Sequence, residues 1–329
     1  VERPLLNPAA IKRRLAAVGE IVDDSVTRSE LRLTLHDIGD IQRLIGRCVY
    51  GTANGRDLLA LANYFALLPR LKELLSGAKC ALLRDIAGMD ALADLQADIA
   101  AIIADDPPFS VREGGILRPG ADEEVDYLRS VRENGSAMVV ELEARERERT
   151  GIKKLKVGYN KVFGYYIDVP RSAGDIALPE EYIRKQTLVS NERYFTPELK
   201  ELENTLLNAK DRLAEREYQL FAALRERTAA QVERVQDSAA SVAELDALCS
   251  LAEVAVRNHY TMPEVDASRE LSVRDGRHPV VEETMKNEIR FVPNDTYLNT
   301  GSDRLAIVTG PNMAGKSTYM RQTALIVLM

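Results

Sequence analysis

The chain has no tryptophan, three histidines and three cysteines in 329 residues, and aromatic residues make up only 5% of it. Each shortage excludes something. Cys48, Cys80 and Cys249 are scattered, odd in number and never spaced as C-x-x-C, which argues against a disulfide framework or a zinc site and for a reducing compartment. Three histidines are too few for a histidine-rich metal centre, and His259 reads as a capping or packing residue. No stretch reads as a signal peptide, and no apolar run is long enough to span a bilayer. Positive charge is short as well. With 44 Lys/Arg against 51 Asp/Glu the net charge is −7, the wrong sign for a protein that binds nucleic acid over its whole surface.

That average hides a local reversal. From Ile152 to Lys200 there are nine Lys/Arg and six Asp/Glu, a net +3 that leaves the remainder at −10. An acidic body with one basic segment is compatible with a protein that touches DNA at a limited site. Apolar content of 45% and charged content of 29% suit a globular or long-helical protein, and the length suggests two or three domains.

Residues 4–104 read as helical. Asn7 can N-cap a helix with Pro8 at its first position and Ile11, Leu15, Val18 and Val22 on one face. Asp37 can cap a second helix carrying Ile41, Leu44, Ile45 and Val49. Arg56–Leu68 is a strongly apolar helix that Pro69 is expected to end, and Ala91–Ala104 is another. Nothing here looks catalytic; packed apolar stripes account for it. Val111–Gly120 reads as a small hairpin or loop, with Arg112, Glu113 and Arg118 in a solvated turn. Asp122–Thr150 is a long helix stopped by Gly151. Its last third, Glu141–Arg149, is almost all charged and is expected to project into solvent or lie on a partner. Glu198–Val235 mirrors it, and Asp237–Tyr260 is one further helix. A coiled-coil scaffold alone would explain these long helices.

The insertion between them, Ile152–Phe195, changes character. Leu155–Asn160, Gly164–Val169 and Thr187–Phe195 have the alternation of strands. Lys153, Lys154, Lys156, Lys161, Arg171, Arg184, Lys185 and Arg193 are interleaved with Tyr159, Tyr165, Tyr166 and Tyr182. Such a mixture offers charge for counterion release and donors for positioning a phosphate backbone; a solvated β cap would have the same composition. After Pro263 short strands and turns follow, through Leu271–Val273, Asp275-Gly276 and His278–Val281.

Gly310-Pro311-Asn312-Met313-Ala314-Gly315-Lys316-Ser317 fits the P-loop pattern G-x-x-x-x-G-K-[ST]. The mechanism needs a buried strand, here Leu305–Val308, a glycine turn whose amides close on a phosphate, and a helix N-terminus, here opening the Tyr319–Leu328 run. Lys316 then reaches the β- and γ-phosphates of ATP, and the Ser317 hydroxyl holds Mg²⁺. Asn312 adds a polar contact to the phosphates or to an attacking water.

The stretch TGPNMAGKSTYMRQTALIVLM resembles the P-loop of the MutS family of mismatch-repair ATPases, with Ala314 where other members often have glycine. Further stretches agree in family order: Arg277–Val281 and Phe291–Asp295 with the lead-in to the ATPase domain, Leu155–Asn160 and Gly164–Ile167 with the clamp, Gly51–Leu58 and Ile116–Gly120 with the core. The resemblance implies a multidomain, mainly α fold: helical core and outgoing lever at 1–151, a β-rich clamp at 152–196, returning lever and connector at 197–267, and the start of an α/β P-loop ATPase domain at 268–329. It implies a clamp that grips duplex DNA through Asn160, Lys161, Arg184, Lys185, Asn191 and Arg193. It also implies ATP and Mg²⁺ at Gly310 to Thr318, with Met313 in the loop and Phe291 and Val292 against the base; core packing is the alternative for Phe291. A homodimer, a MutL-type partner and a bacterial cytosolic location are implied too. Since the chain lacks an initial Met and stops soon after the P-loop, it reads as an internal fragment. A Walker B acid and a water-positioning group would lie beyond Met329, so this chain alone is expected not to hydrolyse ATP. Two alternatives share features. One is a clamp-bearing homologue acting in recombination, which a Phe-x-Glu wedge upstream would separate. The other is a coiled-coil ATPase of the SMC type, where the P-loop precedes the coiled coil instead of following it.

Overall fold

Short polar side chains set where the first helices begin. The computed structural model describes residues 4–112, 114–160, 164–171, 178–285 and 291–329; Glu113 and Lys161 lie outside them. The chain divides into two compact units, Asp24–Leu251 and Val1–Asp23 with Ala252–Met329. Helix α1 (Pro8–Asp23) starts where expected, because Asn7 Oδ1 accepts from Ala9 N at 2.9 Å. It buries Ala17 and Ile21.

In the larger unit, α2 (Ser25–His36) is capped by Asp24, whose carboxylate accepts from the Val26 and Thr27 amides. Those bonds, led by the Thr27 hydroxyl, hold its pKa below the usual carboxylate value. Helix α3 (Ile41–Val49) is capped by Asp40, which accepts from Arg43 N at 2.8 Å. Asp37, the expected cap, instead sits at the C-terminus of α2: it lies too far upstream for its side chain to reach the first free amides of α3. Helix α4 (Gly55–Leu74) opens with a reciprocal capping box between Asn54 and Asp57. Pro69 does not end it but lies inside it. An internal proline costs about 3 kcal/mol. Leu68, Leu71 and Leu75 around it are at most 3% exposed, and burial at about 2 kcal/mol each outweighs that cost. Helices α5 (Ala81–Ala87) and α6 (Ala93–Ile102) follow. The expected hairpin at 111–120 is one side of an isolated antiparallel bridge, Ile103 with Leu117, that ties the loop to the end of α6 and buries Ile116 and Leu117.

Asp122 caps α7 (Glu123–Thr150) by accepting from Val125 N, and Gly151 ends it at φ 70°. Over 28 residues it rises about 42 Å. The returning helix is two: α8 (Pro197–Ala229), capped by Thr196, and α9 (Val232–Asn258). The single helix expected to reach Val235 therefore breaks at Ala230–Gln231. Thr228, 1% exposed, bonds its hydroxyl back to Leu224 O, an arrangement that bends helices. Helices α7 and α8 run antiparallel, linked by Glu124–Arg212, Asp122–Arg216 and Arg129–Glu217. Gly135 makes room for the Leu206 side chain: a Cβ there would lie 2.3 Å from Leu206 Cδ2.

Between α7 and α8 stands an antiparallel sheet of β1 (Lys156–Asn160), β2 (Gly164–Pro170), β3 (Ile183–Thr187) and β4 (Asn191–Phe195), in spatial order β1-β2-β4-β3. The expected strand over Thr187–Phe195 is thus the end of β3, a turn at 188–190 and β4. The register shifts between Arg184 and Gln186, a bulge at Lys185.

In the smaller unit β5 (Leu271–Gly276) pairs antiparallel with β6 (Asn294–Leu298). His278–Val281, read as extended, opens the short helix α10 (Pro279–Met285); His278 Nδ1 accepts from Val281 N at 3.2 Å and so caps it. Helix α11 (Lys316–Leu328) packs on β6 through Tyr319, whose hydroxyl bonds Thr296 Oγ1 at 2.8 Å. The strand expected at Leu305–Val308 does not form, and Leu305 and Ile307 are each 80% exposed. A strand of that kind needs neighbours to take its amides and cover both faces, and among the described residues none pairs with it. The molecule is mainly helical with a small antiparallel sheet.

Candidate nucleic-acid and phosphate-binding sites

The charged end of α7, expected to project into solvent or lie on a partner, instead holds the sheet of the same chain. Glu143 accepts from Val157 N at 2.7 Å, and Arg147 Nε donates to Leu155 O at 2.7 Å. Glu146 is 3% exposed; it accepts from the Tyr182 hydroxyl and pairs with Arg149 at 2.9 Å. Burial, and then the bond to Glu146, push the Tyr182 pKa well above the ordinary tyrosine value. Beneath these bonds Ile167, Val169, Tyr182 and Tyr194 pack against Leu142, Ile152, Leu155 and Leu199. Alternation in a strand puts every second residue on this core side.

The other residues of each strand therefore share the outward side. Lys156 pairs with Asp168, Asn160 with Gly164, and Arg193 with Asp168 and Gln186 in register. Lys156, Asn160, Tyr166, Asp168, Asn191, Arg193 and Gln186 thus lie on one face. Lys185, on the bulge, joins them by resting 5.5 Å from the centroid of the Phe195 ring. Arg193 lies 4.2 Å over the Tyr166 ring and donates to Gln186 at 3.0 Å. Of the predicted contacts, Asn160, Lys185, Asn191 and Arg193 come together here. Arg184 does not: it pairs in register with the core-facing Tyr194 and contacts Glu192 at 3.5 Å. Lys156 and Tyr166 belong to this face although they were not predicted contacts. The two-residue spacing from Lys156 to Asn160 is the sequence signal that places them together.

In the phosphate-loop sequence, Gly310, Met313 and Gly315 take positive φ values of 149°, 67° and 86°. Met313 is fully exposed. The Lys316 ammonium folds back onto the Gly310 carbonyl and closes the loop. Gly315 begins α11 with no side-chain cap, leaving the first-turn amides to another partner. Ala314 N bonds Pro311 O at 3.4 Å; Asn312 and Ser317 are exposed, and Thr318 is half-buried. These features fit a phosphate cradle. Phe291, half-buried, and Val292, exposed, lie just before β6, where Val292 O accepts from Asn294 Nδ2 at 3.0 Å. Among the described residues no cluster of His, Cys, Asp and Glu suits a metal ion, and no helix is long and apolar enough to cross a membrane.

The architecture defines a class: a helical body whose long antiparallel helix pair carries a small sheet, followed in the chain by a phosphate-loop motif. Residues 1–252 match the family described as MutS domain III, and residues 306–329 match MutS domain V. The DNA mismatch repair protein MutS of Acetivibrio thermocellus is 52% identical over 330 residues, which cover 100% of this chain and 38% of that protein. The protein of the same name from Lachnoclostridium phytofermentans is 51% identical, with 100% and 35% covered. That of Pelotomaculum thermopropionicum is 49% identical, with 100% and 38% covered. The chain belongs to the MutS family. It spans little more than a third of the length of these curated relatives.

Proposed function

We propose that this chain is the lever, clamp and nucleotide-loop portion of a DNA mismatch-repair ATPase. The observation that best supports this is the outward face of the sheet. Lys156, Lys185 and Arg193 supply charge for phosphates, and Asn160, Asn191 and Tyr166 supply donors, all on one surface at the end of α7 and α8. Such a surface grips duplex backbone without reading sequence. Lys161 belongs to the same proposed grip. Arg184 lies on the opposite side of the sheet and is given no phosphate contact.

The second part of the proposal concerns nucleotide. The amides from Gly310 to Gly315, across Pro311, Asn312, Met313 and Ala314, cradle the phosphates of ATP. Lys316 leaves the Gly310 carbonyl for the β- and γ-phosphates, Ser317 carries Mg²⁺, and Thr318 closes the cradle from the first turn of α11. Phe291 and Val292 flank the base. Bound nucleotide biases the clamp only through different affinities for its open and closed states. A homodimer, a MutL-type partner and a place in the bacterial cytosol belong to the same proposal.

Binding of a fluorescent duplex, with and without a mismatch, across a salt series tests the clamp. Binding is expected to be salt-dependent and indifferent to the mismatch. The triple Ala variant at Lys156, Lys185 and Arg193 should bind more weakly and with a shallower slope, while Arg184→Ala leaves the slope unchanged. Failure to bind at low salt, or a triple variant equal to wild type, would overturn the reading. A fluorescent ATP analogue tests the loop, with loss of binding expected for Lys316→Ala.

A further inference from the structure

One residue on the outward face has the wrong sign for it. Among the described strand residues Asp168 is the single acid on that side, in the middle of β2, between Lys156 on β1 and Arg193 on β4. Its Oδ2 accepts from Asn191 Nδ2 at 2.7 Å. Its Oδ1 lies 3.9 Å from Arg193 Nε. Both of those facing atoms are buried, and neither makes a hydrogen bond. Arg193 is held flat meanwhile, stacked on Tyr166 and bonded to Gln186.

The only arginine of the described face is therefore engaged sideways along the sheet, in a contact close enough to offset its charge and too long to satisfy its Nε–H. A phosphate is a better partner, because a guanidinium and an oxyanion make short, paired, charge-assisted bonds. Asp168 opposes that exchange in two ways. It holds Arg193 and Asn191 against the sheet, and its own charge repels an arriving phosphate. Adverse groups of this kind are how a surface is kept from binding too well.

We propose that Asp168 is a positioning residue that sets how strongly the sheet grips duplex DNA, by withholding Arg193 from the phosphate backbone. The inference rests on the reading of this face as the duplex contact. It gives the grip a defined weakness: the clamp lets go because one of its cations already has a partner.

The test compares duplex binding by the full chain and its variants over a salt series. Asp168→Asn keeps an acceptor for Asn191 and removes the charge. It is expected to bind the duplex more tightly at low salt. The slope of log K against log salt should steepen by about 0.9, the value for one further phosphate contact. Between about 50 and about 200 mM salt that is an extra loss of affinity of about 3.5-fold. Asp168→Ser, which also removes the charge, should behave alike, and Asp168→Glu should restore the wild-type slope. In an Arg193→Met background Asp168→Asn should no longer steepen the slope, leaving only the small gain in affinity from the lost repulsion. Circular dichroism melting verifies that each variant folds. An unchanged slope in both Asn and Ser variants overturns the proposal, as does a steepening that persists without Arg193. If wild type binds with the expected salt dependence and only the Asp168 variants disappoint, this inference fails and the clamp reading stands. If wild type binds no duplex at low salt, both fail.

Discussion

Glu217 is the residue whose removal should damage the larger unit most. It is 0% exposed where α8 passes the loop before α7. Oε2 accepts from Gly115 N at 2.5 Å and from Ile116 N at 3.4 Å, while Oε1 takes Arg129 Nη2 at 3.0 Å. The same Arg129 nitrogen donates to Leu117 O at 3.1 Å. One carboxylate thus ties loop, α7 and α8 together. Glu217→Ala leaves the Arg129 guanidinium, whose side chain is 17% exposed, without its buried counter-charge. It also leaves two loop amides without their acceptor. Breaking one side of a buried pair costs about 3–5 kcal/mol. Glu217→Gln keeps one acceptor oxygen and should cost about 1–2 kcal/mol. Replacing both Arg129 and Glu217 by Met strands no charge but still leaves the Gly115 and Ile116 amides without their acceptor, so it should cost about 1–3 kcal/mol relative to wild type, less than Glu217→Ala. Urea unfolding followed by far-ultraviolet circular dichroism reads these differences as midpoint shifts at constant slope. The corresponding fall in Tm for Ala is about 6–20 °C, at about 2–4 °C per kcal/mol for a unit of this size. Ala and Gln variants that unfold together, each within about 1 kcal/mol of wild type, would refute the reasoning.

Three further outcomes follow from other contacts. Gly135→Ala should be near neutral in melting, since about 1 kcal/mol of helix propensity offsets the displacement of Leu206; Gly135→Val should cost about 1–3 kcal/mol. Arg234 lowers the pKa of Asp94; that of Asp90 is lowered first by the Leu92 amide and then by Arg234. Carboxylates depressed in this way contribute stability above their unfolded pKa of about 3.9, and it is lost as pH falls through the lower folded value. The urea midpoint of Arg234→Met should therefore lie below that of wild type at neutral pH, and the gap should close as the solution is taken below about pH 4. Burial pushes the Cys48 thiol up to about 11 and the Cys249 thiol to about 12, with Asp57 and Asp246 adding to it. A thiol reagent at mildly alkaline pH should then leave both unmodified in the native chain and react with all three cysteines in denaturant.

The sequence was most readable where local chemistry decided the outcome. Asn7 before Pro8, Asp122 before Val125 and Gly151 after Thr150 mark helix ends that the backbone adopts. It was least readable where a distant partner decided. Glu141–Arg149 looks like a solvated face until Val157 N, Leu155 O and the Tyr182 hydroxyl are brought to it. Pro69 looks like a stop until the leucines around it are buried. Nothing at Ala229–Gln231 is a helix breaker, so the end of α8 leaves no local mark. Of the expected DNA contacts, Asn160, Asn191 and Arg193 share a side through strand alternation, and Lys185 joins them at the bulge. Arg184 falls on the core side with its partner Tyr194, as ordinary alternation requires, and the bulge is what sets Lys185 on the same side as Gln186.

That bulge has another consequence. A four-stranded open sheet between long helices has two rims, β1 and β3; Glu143 and Arg147 take Val157 N and Leu155 O at the first, and the remaining rim amides and carbonyls are templates for a strand from another molecule. Both rims are fortified. Lys156 stands on one, and Arg184 and Lys185 on the other, where the irregular register also twists the backbone out of line. An incoming strand would have to desolvate those cations and follow a broken ladder. Lys156 and Lys185, proposed to hold DNA, would thus, together with Arg184, also keep the sheets of neighbouring molecules from zipping into one another.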